Sequence, residues 1–250
     1  MISVHDGVMA AVEPCYALEP VHCAFQGRVR CWLLRLKLGR EPDAAVLGML
    51  APAEHKALHR LQQGDDRLRY ACTRAALRQI LAQEYGLSPA LQIVHSASGK
   101  PMLADADSTG LAFNVSHSGA RALIAVTRAG QVGVDIERSI PLELAGLAEL
   151  VCTPQERARL SRLPVAEQHA EFFRLWVGKE AVLKSVGVGI AGEHMPRLAL
   201  LADGSVQAQA PLPFDADLIH LVHLVHLVQL EMLTCTNGYS AAVALSSAFH

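Results

Sequence analysis

The stretch Phe172 to Lys184, FFRLWVGKEAVLK, constrains this chain more than any other. Its residues are good helix formers, and at roughly 100° per residue Phe172, Leu175, Trp176, Leu183 and Val186 fall on one stripe. Lys179 sits in the middle of that stripe. Glu180 and Lys184 are one helical turn apart and share its flank. Charge buried among apolar side chains costs several kcal/mol unless it is paired or bound to a metal. A mostly buried helix with three charges at or beside its apolar face therefore points to a site. The competing reading is an amphipathic helix whose lysines reach out to water, and the rest of the chain has to decide between the two.

The chain has 250 residues, 51% of them apolar, enough for one large domain or two of ordinary size. A net charge of −2 gives no support for a nucleic-acid-binding surface. The first twenty residues lack a basic stretch followed by a long apolar run, so no signal peptide is expected. Leu218 to Leu233 is the most lipid-like segment. It is interrupted by His220, His223, His226 and Glu231 and is too short for a membrane span. Cys15, Cys23, Cys31, Cys72, Cys152 and Cys235 are scattered, without a C-x-x-C, and read as free thiols of a reducing cytosol. The expectation is a cytoplasmic protein that binds neither membrane nor nucleic acid. Asn114-Val115-Ser116 matches a glycosylation acceptor and is taken as chance.

Along the chain, residues 1–28 are weakly patterned and read as an extension. Val29 to Leu38 reads as a strand, Pro52 to Gln63 as a polar helix, and Asp65 to Tyr85 as a helix closed by Gly86. Short strands are expected at Leu91–Ser96, Leu111–Ser116, Ala120–Arg128 and Gln131–Glu137, with Ser98-Gly99-Lys100-Pro101 as a turn. Helices are expected at Pro141–Leu150, Pro154–Leu163 and about 166–186. Strands follow at Pro196–Ala202, Ser205–Ala210, Asp217–Cys235 and, after the Asn237-Gly238 turn, Tyr239–Leu245. Each half holds helices and three or four strands. The expected fold is α+β, a pseudo-twofold pair of similar subdomains over 29–130 and 131–250, although no repeat can be demonstrated from residue identities.

Asp135 and Glu137 are one residue apart on a predicted strand, so they share a face. Two adjacent carboxylates repel, and a cation is a natural compensator. With Glu180 they make three oxygen ligands suited to Mg²⁺. The alternative is a pair of exposed carboxylates balanced by Arg138. Asn114 to Gly119, NVSHSG, is the other dense polar cluster, where backbone N–H groups and hydroxyls can face an anion. A Ser-His-Asp hydrolase built on Ser116, His117 and Asp135 is discounted. Strand neighbours point to opposite faces, and no G-x-S-x-G surrounds the serine. Histidines at 220, 223 and 226 could signal a transition-metal site, but that spacing converges poorly on either a helix or a strand.

The ordered set SGKP, FNVSHS, VGVDIE and FFRLWVGKEAVLKSVGVGI, with the closing GYSAAVAL, resembles the Sfp-type 4′-phosphopantetheinyl transferase family over roughly Val29 to Leu245. The resemblance implies Mg²⁺ held by Asp135, Glu137 and Glu180, with coenzyme A as co-substrate. It implies catalytic roles for Glu180 and Lys184, with Lys184 facing the CoA phosphates. Ser116 and His117 correspond to the pair at the nucleotide 3′-phosphate, Lys100 and Arg69 to further CoA contacts, and Tyr70 to the adenine side. Glu156 corresponds to a further acidic residue near the site, and Trp176 and Lys179 complete the signature helix. The implied reaction moves 4′-phosphopantetheine to a serine of an apo acyl or peptidyl carrier protein, with the enzyme acting as a monomer. A CoA- or carrier-binding module without transfer activity is the alternative. Val177 departs from the small polar residue usual after the tryptophan. The family's basic pair upstream of Arg69 has only His55, Lys56 and Arg60 as candidates.

Overall fold

The computed structural model describes residues 13–188, 194–201, 205–208, 225, 227–234 and 237–247. The first half runs β1 (Tyr16–Val21), β2 (Val29–Leu36), α1 (Ala44–Gly48), α2 (Pro52–Leu58), α3 (Gly64–Tyr85), β3 (Ile93–His95), β4 (Pro101–Leu103), α4 (Ala106–Thr109), β5 (Ala112–Ser118) and β6 (Arg121–Thr127). The second runs β7 (Gln131–Arg138), α5 (Leu144–Val151), α6 (Pro154–Leu160), α7 (Val165–Val186), β8 (Leu198–Leu200), β9 (Val206–Ala208), β10 (Val228–Met232) and β11 (Tyr239–Ser246). The fold is α+β, and among the described residues every backbone-paired strand is antiparallel to its neighbour.

The order of elements repeats. A strand is followed by two short helices, a long helix, a small hairpin and two more strands, first from β2 to β6, where the short α4 precedes β5, and again from β7 to β11. The sheet orders match, β2-β6-β5 in one half and β7-β11-β10 in the other, with β1 added at the free edge of β2. Both long helices have 22 residues and end on a glycine in the left-handed conformation, Gly86 at φ 69° and Gly187 at φ 76°. A side chain there would be strained, so glycine stops both helices. Both short helices before them begin with proline followed two positions later by a buried glutamate, Glu54 or Glu156.

Strand alternation stacks these pieces into layers. On β2 and β6, Trp32, Leu34, Ala122, Ile124 and Val126 pack beneath α3. The opposite face, Cys31, Leu33, Leu123 and Ala125, packs on Val132, Val134, Ile136, Ala241, Val243 and Leu245 of β7 and β11. The remaining face of β11, Ala242 and Ala244, packs beneath α7 with Phe172, Leu175 and Val182. The order is therefore α3, first sheet, second sheet, α7. Since Val132, Val134 and Ile136 point into the layer between the sheets, Gly133, Asp135 and Glu137 must point toward α7.

Several stretches differ from the reading of the sequence. Residues read as an extension hold the strand β1, which pairs with β2 along its whole length. Its Pro20 and half-exposed pattern hide the signal, and an edge strand tolerates both. The loop after β1 also reaches the other half, where Ala24 N donates to Glu231 (2.6 Å) and the Arg28 guanidinium to Gln229 (2.6 Å). The strand expected from Pro196 starts at Leu198, because Met195–Arg197 forms a single 3-10 turn around the proline. Of the long strand expected at Asp217–Cys235, Val228–Met232 is described as strand, and His220, His223 and His226 lie outside the described residues. Among the described residues no helix is long and apolar enough to cross a membrane.

Candidate active site

Helix α7 is held from both sides, and its charges divide accordingly. Lys179, fully buried, turns away from β7. Its ammonium donates to the carbonyl of Val151 (2.6 Å) and to Glu156 (2.5 Å). Glu156 is saturated in turn, accepting from the backbone N–H groups of Thr153 (2.9 Å) and Leu200 (3.0 Å). Burial pulls the Lys179 ammonium below its ordinary pKa and Glu156 opposes that. The pair is a structural tie that sets the rotation of α7. Glu156, implied by the resemblance to lie near the site, spends both oxygens on this tie. The first half repeats it: Glu54 caps the N–H of Ala51 (2.8 Å) and accepts from Arg78 of α3 (2.9 Å).

With Lys179 facing one way, the next residue faces β7. The approach there is tight. A Cβ on Gly133 would lie 2.0 Å from the carbonyl oxygen of Ala181 and 2.4 Å from the N–H nitrogen of Ser185, so only glycine lets α7 come this close to β7. Glu180 and Asp135 are both buried, and the Lys184 ammonium lies 2.7 Å from Asp135 Oδ1 and 3.6 Å from Glu180 Oε2. Burial drives the Glu180 carboxyl up to about 7; Lys184 pulls it back, while Asp135 and Glu137 add to the rise. Glu137, half-buried, is also raised, chiefly by burial, against a hydrogen bond from Ser118.

The third side of the site is β5. Backbone ladders do not join β5 to β7, which belong to different sheets. Side chains join them instead. Asn114 Oδ1 accepts from Val134 N (2.9 Å), Ser116 Oγ from Ile136 N (3.4 Å) and Ser118 Oγ from Arg138 N (3.1 Å). Each bond spans 20 residues, so the strands run in the same direction in register. The two serines also donate forward, Ser116 to Asp135 Oδ1 (2.7 Å) and Ser118 to Glu137 Oε2 (2.6 Å). The sequence reading had these hydroxyls facing an anionic ligand; in this structure they face the carboxylates. The available signal was the i, i+2, i+4 spacing of Asn114, Ser116 and Ser118, which places them on one strand face.

The other expected residues surround this centre. His117, on the opposite side of β5 from Ser116, is exposed. Lys100 lies beside Lys184, but its ammonium donates to the carbonyls of Lys184 (2.9 Å) and Val132 (3.1 Å), closing the C-terminal end of α7 where carbonyls lack helical partners. Burial lowers its pKa to about 8. A hollow of about 170 Å³ between the Ser98–Lys100 turn, Asn114, Val115 and Lys184 brings the three motifs to one wall. Arg69 donates to the carbonyl of Gly119 (2.8 Å) and pairs with Asp66 (2.5 Å), so it braces the turn after β5. Tyr70 carries the Arg74 guanidinium 5.5 Å from its ring centre. Arg74 and Arg78 of α3 are buried beside Glu54. Val177 is fully buried in the core beneath α7, a packing role consistent with a residue that has no polar duty.

Among the described residues, no three His, Cys, Asp or Glu side chains come together closely enough to hold a metal ion as they stand. Lys184 is the counter-charge between Asp135 and Glu180. Yet Asp135 Oδ2 and Glu180 Oε2 are buried without a hydrogen-bond partner. Buried, unpartnered carboxylate oxygens are costly, and hard oxygen donors of this kind fit Mg²⁺.

This arrangement defines a class: a duplicated α+β protein with an acidic, lysine-balanced centre beneath its second long helix. Residues 131–244 match the family model of the 4′-phosphopantetheinyl transferase superfamily, and residues 41–129 match that of the 4′-phosphopantetheinyl transferase N-terminal region. The 4′-phosphopantetheinyl transferase HetI of Nostoc is 34% identical over 175 residues, 69% of this chain and 74% of that protein. AcpT of Escherichia coli is 34% identical over 156 residues, covering 62% and 74%. A putative 4′-phosphopantetheinyl transferase of Synechocystis is 36% identical over 146 residues, covering 58% of this chain and 59% of its own length. The chain belongs to the 4′-phosphopantetheinyl transferase superfamily.

Proposed function

We propose that this protein transfers 4′-phosphopantetheine from coenzyme A to a serine hydroxyl of an apo acyl or peptidyl carrier protein. The observation that carries this reading is the centre itself: Asp135, Glu180 and Lys184 meet beneath α7, and two buried carboxylate oxygens there lack a hydrogen bond. Asp135, Glu137 and Glu180 would hold Mg²⁺, which when bound neutralises the pyrophosphate and polarises the phosphorus. Glu180 takes the proton of the carrier serine, directly or through a water. The serine oxygen forms the new bond to phosphorus as the bond to the departing phosphate breaks, releasing adenosine 3′,5′-bisphosphate. Lys184, one turn further along α7, stabilises the charge on that leaving group. In this reading Lys100, His117 and Arg69 line the route of the nucleotide and Tyr70 lies on the adenine side.

A binding module without transfer activity finds no support in the centre, which keeps both the acidic set and the lysine. Net charge near zero leaves carrier recognition to a local patch rather than to long-range steering. Free cysteines at 15, 23, 31, 72 and 152 suit a cytoplasmic setting, and two halves in one chain suit a monomer. The test is to incubate the protein with CoA, Mg²⁺ and an apo-carrier and weigh the carrier. Wild type adds one phosphopantetheine per carrier. Glu180→Gln and Lys184→Ala, still folded, lower the rate by about 100-fold or more. Wild-type rates in both variants would sink the assigned mechanism.

A further inference from the structure

The hydroxyl of Ser118 has one proton and two acceptor sites. Arg138 N–H donates into the oxygen at 3.1 Å, which occupies an acceptor site and leaves the proton for Glu137 Oε2 at 2.6 Å. The direction of the second bond is thus set by the first. Because β5 and β7 are stitched at three successive positions, Ser118 cannot slide relative to Glu137 without breaking the bonds at Asn114 and Ser116. Glu137 is the least buried of the three acidic residues and lies one residue before the end of β7, so its side chain has more freedom to lose than that of Asp135. The Ser118 bond takes one of its two oxygens and fixes the rotamer of the other.

We propose that Ser118 is a positioning residue for the cation site: it orients Glu137 for Mg²⁺, and it does not itself contact the reacting atoms. This deepens the transferase reading and rests on it. Removing such a partner of a ligand typically weakens metal affinity by about 10- to 100-fold. A residue that only stitched β5 to β7 would instead lower stability and leave metal affinity alone.

The experiment is calorimetric titration of Mg²⁺ into the full chain with CoA present, using wild type, Ser118→Ala, Ser118→Thr, Glu137→Gln and the Ser118→Ala/Glu137→Gln double variant. Melting temperature without metal is recorded for each. Ser118→Ala is expected to raise the dissociation constant about tenfold or more. Ser118→Thr, which keeps the hydroxyl on a strand that favours β-branched residues, is expected to stay within about twofold of wild type. In the Glu137→Gln background the alanine should add nothing further, because both act through one ligand. Unchanged affinity in folded Ser118→Ala overturns the proposal, as does full additivity with Glu137→Gln. Carrier modification is measured in parallel. A failed transferase reading then appears as metal binding without transfer, whereas a failed Ser118 assignment appears as unaltered metal affinity in Ser118→Ala. Wild type that binds no Mg²⁺ overturns both.

Discussion

Glu180→Gln should make the metal-free protein more stable at alkaline pH while destroying its function. In the fold, burial pushes this carboxyl from 4.5 to about 7. Between those values the native state binds more protons than the unfolded chain, so stability falls as pH rises through the window. The stabilising protonated form is fully present below about 4.5 and is lost above about 7. A tenfold change in proton affinity corresponds to about 1.4 kcal/mol, so the ionised side chain costs the fold about 3 kcal/mol near pH 8. Glutamine keeps the shape and removes the charge, and Lys184 remains paired with Asp135 at 2.7 Å. The assay is urea denaturation in a chelator from about pH 4.5 to 8.5, comparing wild type with the variant. Their stabilities should converge at the acid end and diverge toward about 3 kcal/mol in favour of the variant at the alkaline end. Mg²⁺ with CoA should close that gap in wild type alone. A difference that does not change with pH, or a wild type more stable than the variant at pH 8, would refute the reasoning.

Lys179→Ala leaves Glu156 buried and unpaired, and should cost about 3–5 kcal/mol by chemical denaturation. Carrier modification per folded molecule should survive better than in Lys184→Ala, because Lys179 faces away from the centre. Gly133→Ala forces α7 off β7 at contacts of 2.0 and 2.4 Å and should cost at least about 3 kcal/mol, seen as a lower melting temperature or loss of soluble protein. Lys100→Ala removes two bonds to carbonyls and should speed amide exchange in the residues around the end of α7, with a loss of about 1–3 kcal/mol.

Much of the element order was legible because the governing signals are local. Period-two alternation marked β7, and the αL glycines Gly86 and Gly187 marked where both long helices stop. The duplication was not legible from residue identities, because what repeats is a contact rather than a residue. Glu54 meets an arginine and Glu156 a lysine, each from the long helix that follows. Strand β1 was missed because an edge strand carrying a proline and one wet face lacks the apolar run that marks a buried strand.

For the site, the sequence by itself determined which charges are expensive. Lys179, Glu180 and Lys184 on an apolar helix had to be answered by something, and Asp135 and Glu137 were placed on one strand face by spacing alone. Only the tertiary structure decided how each was answered. Adjacent residues on α7 point in different directions, so Lys179 closes a structural tie with Glu156 while Glu180 faces Asp135 and Lys184. Ser116 and Ser118 turned out to grip the carboxylates, because β5 lies beside β7 and is joined to it through side chains. Those partners are 19 to 49 residues apart in the chain. No periodicity reaches across such a distance, and only the packing of two sheets and a helix brings them within hydrogen-bond range.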